Sequence, residues 1–415
     1  MSSSRALLLS ILALSALAFA YAFQTPAVPK ALSADADPRD FSGHRALLHI
    51  QNIAREPRPT GSSSLARARV YLIGALRAAS PRFQIEVQDG LVVESFLPGV
   101  ANATRVKNIV ARLPGTNSTR TLLLLAHYDS VVNSPGANDD GAGVATALEL
   151  VRSLAARGAN RNDIVVLLTD GEERGMLGAR AYYQQHTRGS DPAIVFNFEA
   201  RGNSGPALLF QSGAKSEWLV REFARFAKSP AASSVAQELF RILPYGTDFS
   251  VFAKGGQPGL NFAYINNTIY YHSAFDTPES VDVGSLQHHG DNVLELLVHL
   301  AALDLSETPA DSKLGPSPTY FLAGRELIVY SHRWNGWLLG LAWLMYLACF
   351  ARGIRCGRLR EFAWQLSAPL IVAAASALFV WGLWRGLVLN VHPEMTAILP
   401  TGETYRAGFF KASLQ

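Results

Sequence analysis

The sequence predicts an α/β fold, a mostly parallel central sheet flanked by helices, joined to transmembrane helices. Three observations carry this expectation. Between residue 44 and about 305, β-rich apolar runs alternate with helical patterns, the order expected of a helix-covered parallel sheet. Some of those runs, such as 122–126 and 164–168, are apolar without a break, as strands buried on both faces require. Outside that region, residues 6–23, 334–351 and 362–384 carry no charge, and about 20 apolar residues suffice to cross a bilayer as a helix.

In chain order, residues 6–23 follow Met1-Ser-Ser-Ser-Arg5, and Ala18-Phe19-Ala20 resembles a signal-peptide cleavage site. The run is longer than a signal core, so a transmembrane signal anchor is expected. Residues 24–43, rich in Pro, Ala and Asp, read as a linker. Within 44–305, strands are expected at 83–87, 106–113, 121–126, 164–169, 194–198, 208–211 and 259–265. Helices are expected at 65–79, 143–156, 179–185, 217–227 and 286–303. Residues 306–333 read as a second linker. Two transmembrane helices, 334–351 and 362–384, then flank the Arg-rich loop 352–361, and 385–415 form a tail. That loop holds Arg352, Arg355, Arg358 and Arg360, so the positive-inside rule makes it cytoplasmic. An integral, multi-pass membrane protein follows, with 44–305 on the non-cytoplasmic side, in a periplasm or an organelle lumen.

Composition narrows the chemistry. Of 415 residues, 49% are hydrophobic and only 17% charged, against about 25% charged in soluble domains. A disordered chain is excluded. A net charge of +4 is too mild to argue for a nucleic-acid partner. The only cysteines, Cys349 and Cys356, lie near the C-terminus. This excludes a disulfide-stapled fold and a zinc site of several thiolates. A metal site here must use His, Asp and Glu.

Those residues gather where strands are expected to end. His127-Tyr128-Asp129 follows the run 122–126, and Asn138-Asp139-Asp140-Gly141 opens a helix. Asp170-Gly171-Glu172-Glu173 follows 164–169, Glu199 closes Asn197-Phe198-Glu199, and Tyr271-His272-Ser273 follows the last run. Open α/β sheets bind ligands beyond the carboxyl ends of their strands. Each motif alone is ordinary turn chemistry; together, two histidines and several carboxylates suit zinc. Asp129 is spaced to hold the other ring nitrogen of His127. Neighbouring acids such as Glu172 and Glu173 point in different directions on an extended backbone. One can bind a metal while the other serves as a base.

In order and local context these five motifs resemble those of the two-zinc exopeptidases of family twenty-eight of the metallopeptidases. The layout is similar to the family's membrane branch, the endoplasmic-reticulum and vacuolar membrane metallopeptidases. The resemblance covers roughly residues 44–305 and implies a zinc-exopeptidase-like, phosphorylase/hydrolase-like fold. It implies two Zn²⁺ per chain, one held by His127 and Glu199, the other by Glu173 and His272, with Asp139 bridging them. It further implies a cis peptide between Asp139 and Asp140, and Glu172 as general base towards a metal-activated water. Tyr245 and Asp248, in Pro244-Tyr245-Gly246-Thr247-Asp248-Phe249, would face substrate, and Arg201, just after Glu199, is placed either to bind a substrate carboxylate or to pair with an acidic ligand.

The implied function is a membrane-anchored aminopeptidase-type metalloexopeptidase, with peptide substrates and no nucleic acid. Alternatives on the same scaffold are a glutaminyl-cyclase-like enzyme, whose branch binds a single zinc, or an amidase. A non-catalytic receptor-like ectodomain is another, but receptor relatives lack the ligands. A transporter would need charged residues within its spans, and these spans have none. Members of the membrane branch generally carry more transmembrane helices after the peptidase domain, so a fragment or a shortened member is expected. Oligomeric state is not legible in the sequence.

Overall fold

The computed structural model describes residues 26–97, 100–186, 193–213, 215–242, 246–306 and 318–355, with Leu378 and Gly382. It divides into two compact units, one ending at His332 and one beginning at Arg333.

The first unit opens with helices α1 (Gly43–Ile53) and α2 (Ser63–Ala79). Each starts at a serine, Ser42 or Ser62, whose side chain accepts from a backbone N–H of the first turn, satisfying a donor that the helix cannot. Then follow β1 (Gln84–Leu97), β2 (Val100–Leu113), β3 (Thr121–His127), α3 (Gly141–Ala156), β4 (Ile164–Thr169), α4 (Leu177–His186) and β5 (Ala193–Ala200). After them come β6 (Leu208–Ser212), α5 (Glu217–Phe226), α6 (Ser234–Ile242), α7 (Asp248–Lys254), β7 (Gly259–Tyr264) and α8 (Val283–Ala302). A hairpin of β8 (Pro318–Ala323) and β9 (Glu326–Ser331) closes the unit.

The main sheet has the order β1-β2-β4-β3-β5-β7-β6. Its centre, β4-β3-β5-β7, is parallel; β2 and β6 join its edges antiparallel, and β1 pairs with β2. Every residue of β3, β4 and β7 is buried, because helices cover both faces. Leu122, Leu124 and Ala126 face one core layer, shared with α1, α3 and α8. Leu123 and Leu125 face the other, against Phe249 and Phe252 of α7 and Tyr182 of α4. Each such leucine contributes roughly 1.5–3 kcal/mol by leaving water. One contact fixes where α3 begins: a Cβ on Gly143 would meet the Asp140 carboxylate at 2.4 Å and the Phe198 carbonyl oxygen at 2.6 Å. Only glycine lets the helix N-terminus approach β5 so closely.

The parallel, helix-flanked sheet agrees with the expected fold class. The β1–β2 ribbon is longer than expected, pairing from Gln84↔Arg112 to Leu97↔Val100. Leu91 and Val93 on it are each 62% exposed, so its pattern does not read as a covered strand. Helices α1, α6 and α7 were not expected from the sequence. Nor was the β8–β9 hairpin, which folds part of the stretch read as the linker 306–333. Tyr320 is fully buried there. Its N–H donates to Ser234 Oγ at 3.2 Å and its hydroxyl to Gln237 Oε1 at 3.1 Å, pinning the hairpin to α6.

In the second unit, helix α9 (Trp334–Arg355) contains a stretch, Trp334–Arg352, with mean hydropathy 1.3 and no buried residue. It is long and apolar enough to cross a membrane. Among the described residues it is the one such helix, where the sequence reading expects three. The spans expected at 6–23 and 362–384 lie outside the described residues, apart from Leu378 and Gly382, as do the tail and most of the Arg-rich loop.

Candidate metal centre

The parallel strands deliver the expected residues to one place. His127 is the last residue of β3, Glu172 and Glu173 follow β4, Glu199 lies near the end of β5, and His272 follows β7. Asp139 sits just ahead of α3. Strands running the same way put all their carboxyl ends on one edge.

His127 Nε2 lies 3.2 Å from Asp139 Oδ1 and 3.7 Å from Glu199 Oε2. His272 Nε2 lies 3.1 Å from Asp139 Oδ2 and 3.0 Å from Glu173 Oε2. Asp139 therefore offers one oxygen to each histidine, and a different glutamate completes each trio. Ligands about 2.0–2.1 Å from a tetrahedral zinc stand about 3.3 Å apart, which the His127–Asp139, His272–Asp139 and His272–Glu173 pairs approach. The groups whose ligand atoms all lie within 4.8 Å of one another are His127, Asp139 and Glu173, and His127, Asp140 and Glu199. Asp139 Oδ2, Glu173 Oε1 and His272 Nε2 are buried without a hydrogen-bond partner. Orphaned atoms of this kind are costly to bury, and metal ligation satisfies them.

The electrostatics point the same way. Burial, reinforced by neighbouring carboxylates, pushes the Glu172 and Glu199 carboxyls well above the usual range. Burial lifts Glu173 as well. For Asp139 burial is outweighed by the adjoining His127 and His272 imidazoles, which bring it down to about 2. For His272 burial is outweighed by Asp139 and Glu173, which raise it to about 10. The cluster wants positive charge at its centre, either protons on the imidazoles or metal ions in their place.

A supporting layer holds the ligands. Asp129 Oδ1 lies 3.4 Å from His127 Nδ1. The same carboxylate accepts from the Glu172 and Glu173 N–H groups at 3.2 and 3.4 Å. One side chain thus orients a histidine and the turn that carries both glutamates. Asp140 accepts from His127 N at 3.1 Å and from Gly143 N at 3.0 Å, so both its oxygens are committed. The Asp139–Asp140 peptide is cis.

Two supports escaped the sequence reading. Asp276 accepts from Asn138 N at 2.8 Å, Asn138 Nδ2 at 2.7 Å and Asp139 N at 3.1 Å, fixing the loop that aims Asp139. Its proximity to His272 in the chain was the available signal. Arg58, fully buried, donates to the Tyr128 and Gly136 carbonyls, each at 2.8 Å, and to that of Pro135. Nothing in its neighbourhood in the sequence marks it.

Beside the ligands lies a cavity of about 490 Å³, lined by His127, Asp139, Glu172 and Glu199 and, on its apolar side, by Phe210 and Phe240. Arg201 lines it too, with its guanidinium 5.0 Å from the centre of the Tyr271 ring. Tyr271 in turn stacks on His272 at 3.8 Å. Asp248 departs from the expectation of a substrate-facing group. It is buried at the start of α7, is absent from the cavity wall, and accepts from the Thr169 hydroxyl. Burial lifts its carboxyl to about 7. Its distance in sequence from β4 hid that packing role. Tyr245 lies outside the described residues.

This arrangement, a parallel α/β sheet with paired His and carboxylate groups at its strand ends, defines a zinc-exopeptidase-like fold. The chain is similar in fold to BSAP, a zinc aminopeptidase from Bacillus subtilis. The two are 16% identical with a TM-score of 0.51, over 66% of this chain and 98% of that one. It is equally similar to the glutaminyl cyclase of Porphyromonas gingivalis, 18% identical with a TM-score of 0.51, over 63% and 99%. Residues 108–297 match Peptidase family M28, so the chain carries a domain of that family. Endoplasmic reticulum metallopeptidase 1 of Rattus norvegicus is 33% identical over 310 residues, 71% of this chain and 34% of that protein. The vacuolar membrane protease of Yarrowia lipolytica is 32% identical over 288 residues, 64% and 28%. The chain spans about a third of the length of these relatives.

Proposed function

We propose that this domain is a zinc-dependent exopeptidase of the aminopeptidase type, anchored in a membrane and acting on peptides. Two Zn²⁺ per chain would be held, one by His127 and Glu199, the other by Glu173 and His272, with Asp139 shared. The observation that carries the reading is Asp139, whose two oxygens face two different histidines at 3.2 and 3.1 Å. When bound, zinc lowers the pKa of water towards 7 and polarises a carbonyl.

The chain's own residues do the rest. Glu172 belongs to neither trio, lines the cavity and lies 4.0 Å from His127 Nε2. It is suited to take the proton of the attacking water and pass it to the leaving amine, which makes it the general base. Asp129 keeps Glu172 and His127 in register through the bonds described above. Arg201, facing the cavity beside Tyr271, is suited to a carbonyl oxygen of the substrate. The carboxylates around the centre favour the cationic amino end of a peptide over its carboxylate end. Helix α9 and the name of the vacuolar membrane protease among the relatives support the anchoring. The Arg-rich loop favours a non-cytoplasmic domain.

The test is metal analysis of the purified chain beside a panel of aminoacyl substrates. Two zincs per chain and release of N-terminal residues are expected. A single zinc with cyclisation of N-terminal glutamine would replace this reading by the cyclase alternative.

A further inference from the structure

The outer face of the β8–β9 hairpin carries Phe321, Ile328 and Tyr330 between Thr319 and Glu326, and its large apolar side chains stay partly exposed. Phe321 and Ile328 pair across the hairpin and are 42% and 41% exposed. Tyr330 lies edge-on to Phe321 at 6.4 Å on the same face. The opposite face holds Tyr320, Leu327 and Val329 against the core. A strand that alternates in this way has one buried side, so the apolar outer side is surplus to folding. The patch continues onto α6. Ser233 bridges to Phe321, and Val235 and Leu239, one helical turn apart, are 64% and 57% exposed.

What covers this patch is indicated by the chain itself. β9 ends at Ser331 and α9 begins at Trp334, so the hairpin is tethered to the apolar helix by a link of about 10 Å at most. The tether is basic and aromatic: His332, Arg333, Trp334 and Trp337 follow the hairpin, and Arg325 sits at its turn. Aromatic and basic residues collect at membrane interfaces, the basic ones beside anionic lipid. We propose that the outer face of the β8–β9 hairpin, with Val235 and Leu239, lies on the lipid surface. This rests on the reading of α9 as a membrane span. Leu239 also lines the cavity, so the apolar wall of the cavity borders the bilayer.

The experiment uses the full chain with Cys349 and Cys356 replaced by Ser, reconstituted in phosphatidylcholine–phosphatidylglycerol vesicles. A fluorescent nitrobenzoxadiazole probe is placed through Phe321→Cys, Ile328→Cys or, as control, Val70→Cys, a site on α2 that is 73% exposed. Probes at 321 and 328 are expected to be quenched by doxyl-labelled lipid and shielded from iodide, and the probe at 70 the reverse. A chain that floats with the vesicles while iodide quenches 321 and 328 as fully as 70 overturns the docking and leaves the anchoring intact. A chain that does not float overturns both. Shielding from iodide without doxyl quenching assigns the patch to a second copy of the chain and also overturns the proposal.

Discussion

Glu172 and Glu173 are adjacent in the chain and separate in role. Glu173 Oε2 lies 3.0 Å from His272 Nε2, within ligand spacing, whereas Glu172 Oε2 stands 4.0 Å from His127 Nε2. The two isosteric changes should therefore diverge. Glu172→Gln is expected to keep the full zinc complement and lose about 10²–10⁴-fold in turnover. Glu173→Gln is expected to weaken one zinc position. Parallel metal analysis and kinetics check this, and equal zinc loss in both variants would dissolve the distinction. Asp170 offers a test independent of catalysis. Burial and the nearby Asp129 charge raise its carboxyl from 3.8 to about 6, while Oδ2 accepts from Lys107 N at 2.9 Å. A raised acid favours the fold when protonated. Its contribution is complete below about pH 4 and is lost as pH climbs to about 6. At most about 3 kcal/mol is involved. Asp170→Asn keeps an acceptor for Lys107 and should flatten that decline in urea midpoints of metal-free protein.

At the scale of elements, α6 joins two functions. Gln237 accepts from Ser212 N at 3.0 Å and from the Tyr320 hydroxyl, which ties the helix to β6 and to the hairpin. Ala236, Leu239 and Phe240 line the cavity instead, and Phe240 meets Phe210 edge-to-face at 5.0 Å. Ala236→Phe should fill that wall and turn the preference from leucyl towards alanyl substrates, by about tenfold or more; rate ratios on the two substrates measure it. Tyr320→Ala should cost about 3–5 kcal/mol by opening a core cavity and freeing the hairpin, read from denaturant melts. These elements also mark where sequence reading reaches its limit. Strands β3 and β4 are buried on both faces, so they stand out as unbroken apolar runs. The acids and histidines that interrupt those runs at their ends were legible for the same reason. Helix α6 and the hairpin are short and half-exposed, with apolar residues on both sides, so periodicity does not separate inside from outside. Arg58 and Asp276 work through backbone carbonyls and N–H groups that only the folded loops bring near, and composition carries no trace of such partners.

At the scale of the whole chain, the Arg cluster bears on the side of the bilayer that the α/β unit occupies. The argument for it is electrostatic: Arg352, Arg355, Arg358 and Arg360 follow the apolar stretch of α9 within nine residues, and such clusters are retained on the cytoplasmic side. A chain crossing once between residue 332 and that cluster must carry the α/β unit on the opposite face. The sequence supplies its own reporter, because Cys356 lies inside the Arg cluster and the only other thiol, Cys349, lies within α9. With Cys349→Ser and an added Val70→Cys on the exposed side of α2, a membrane-impermeant maleimide should label positions 70 and 356 from opposite faces of sealed vesicles. Whichever face is outward, one thiol reacts at once and the other only after detergent. Simultaneous labelling of both without detergent would mean that α9 does not cross, and the Arg cluster would then be an ordinary solvated segment of the domain's own side.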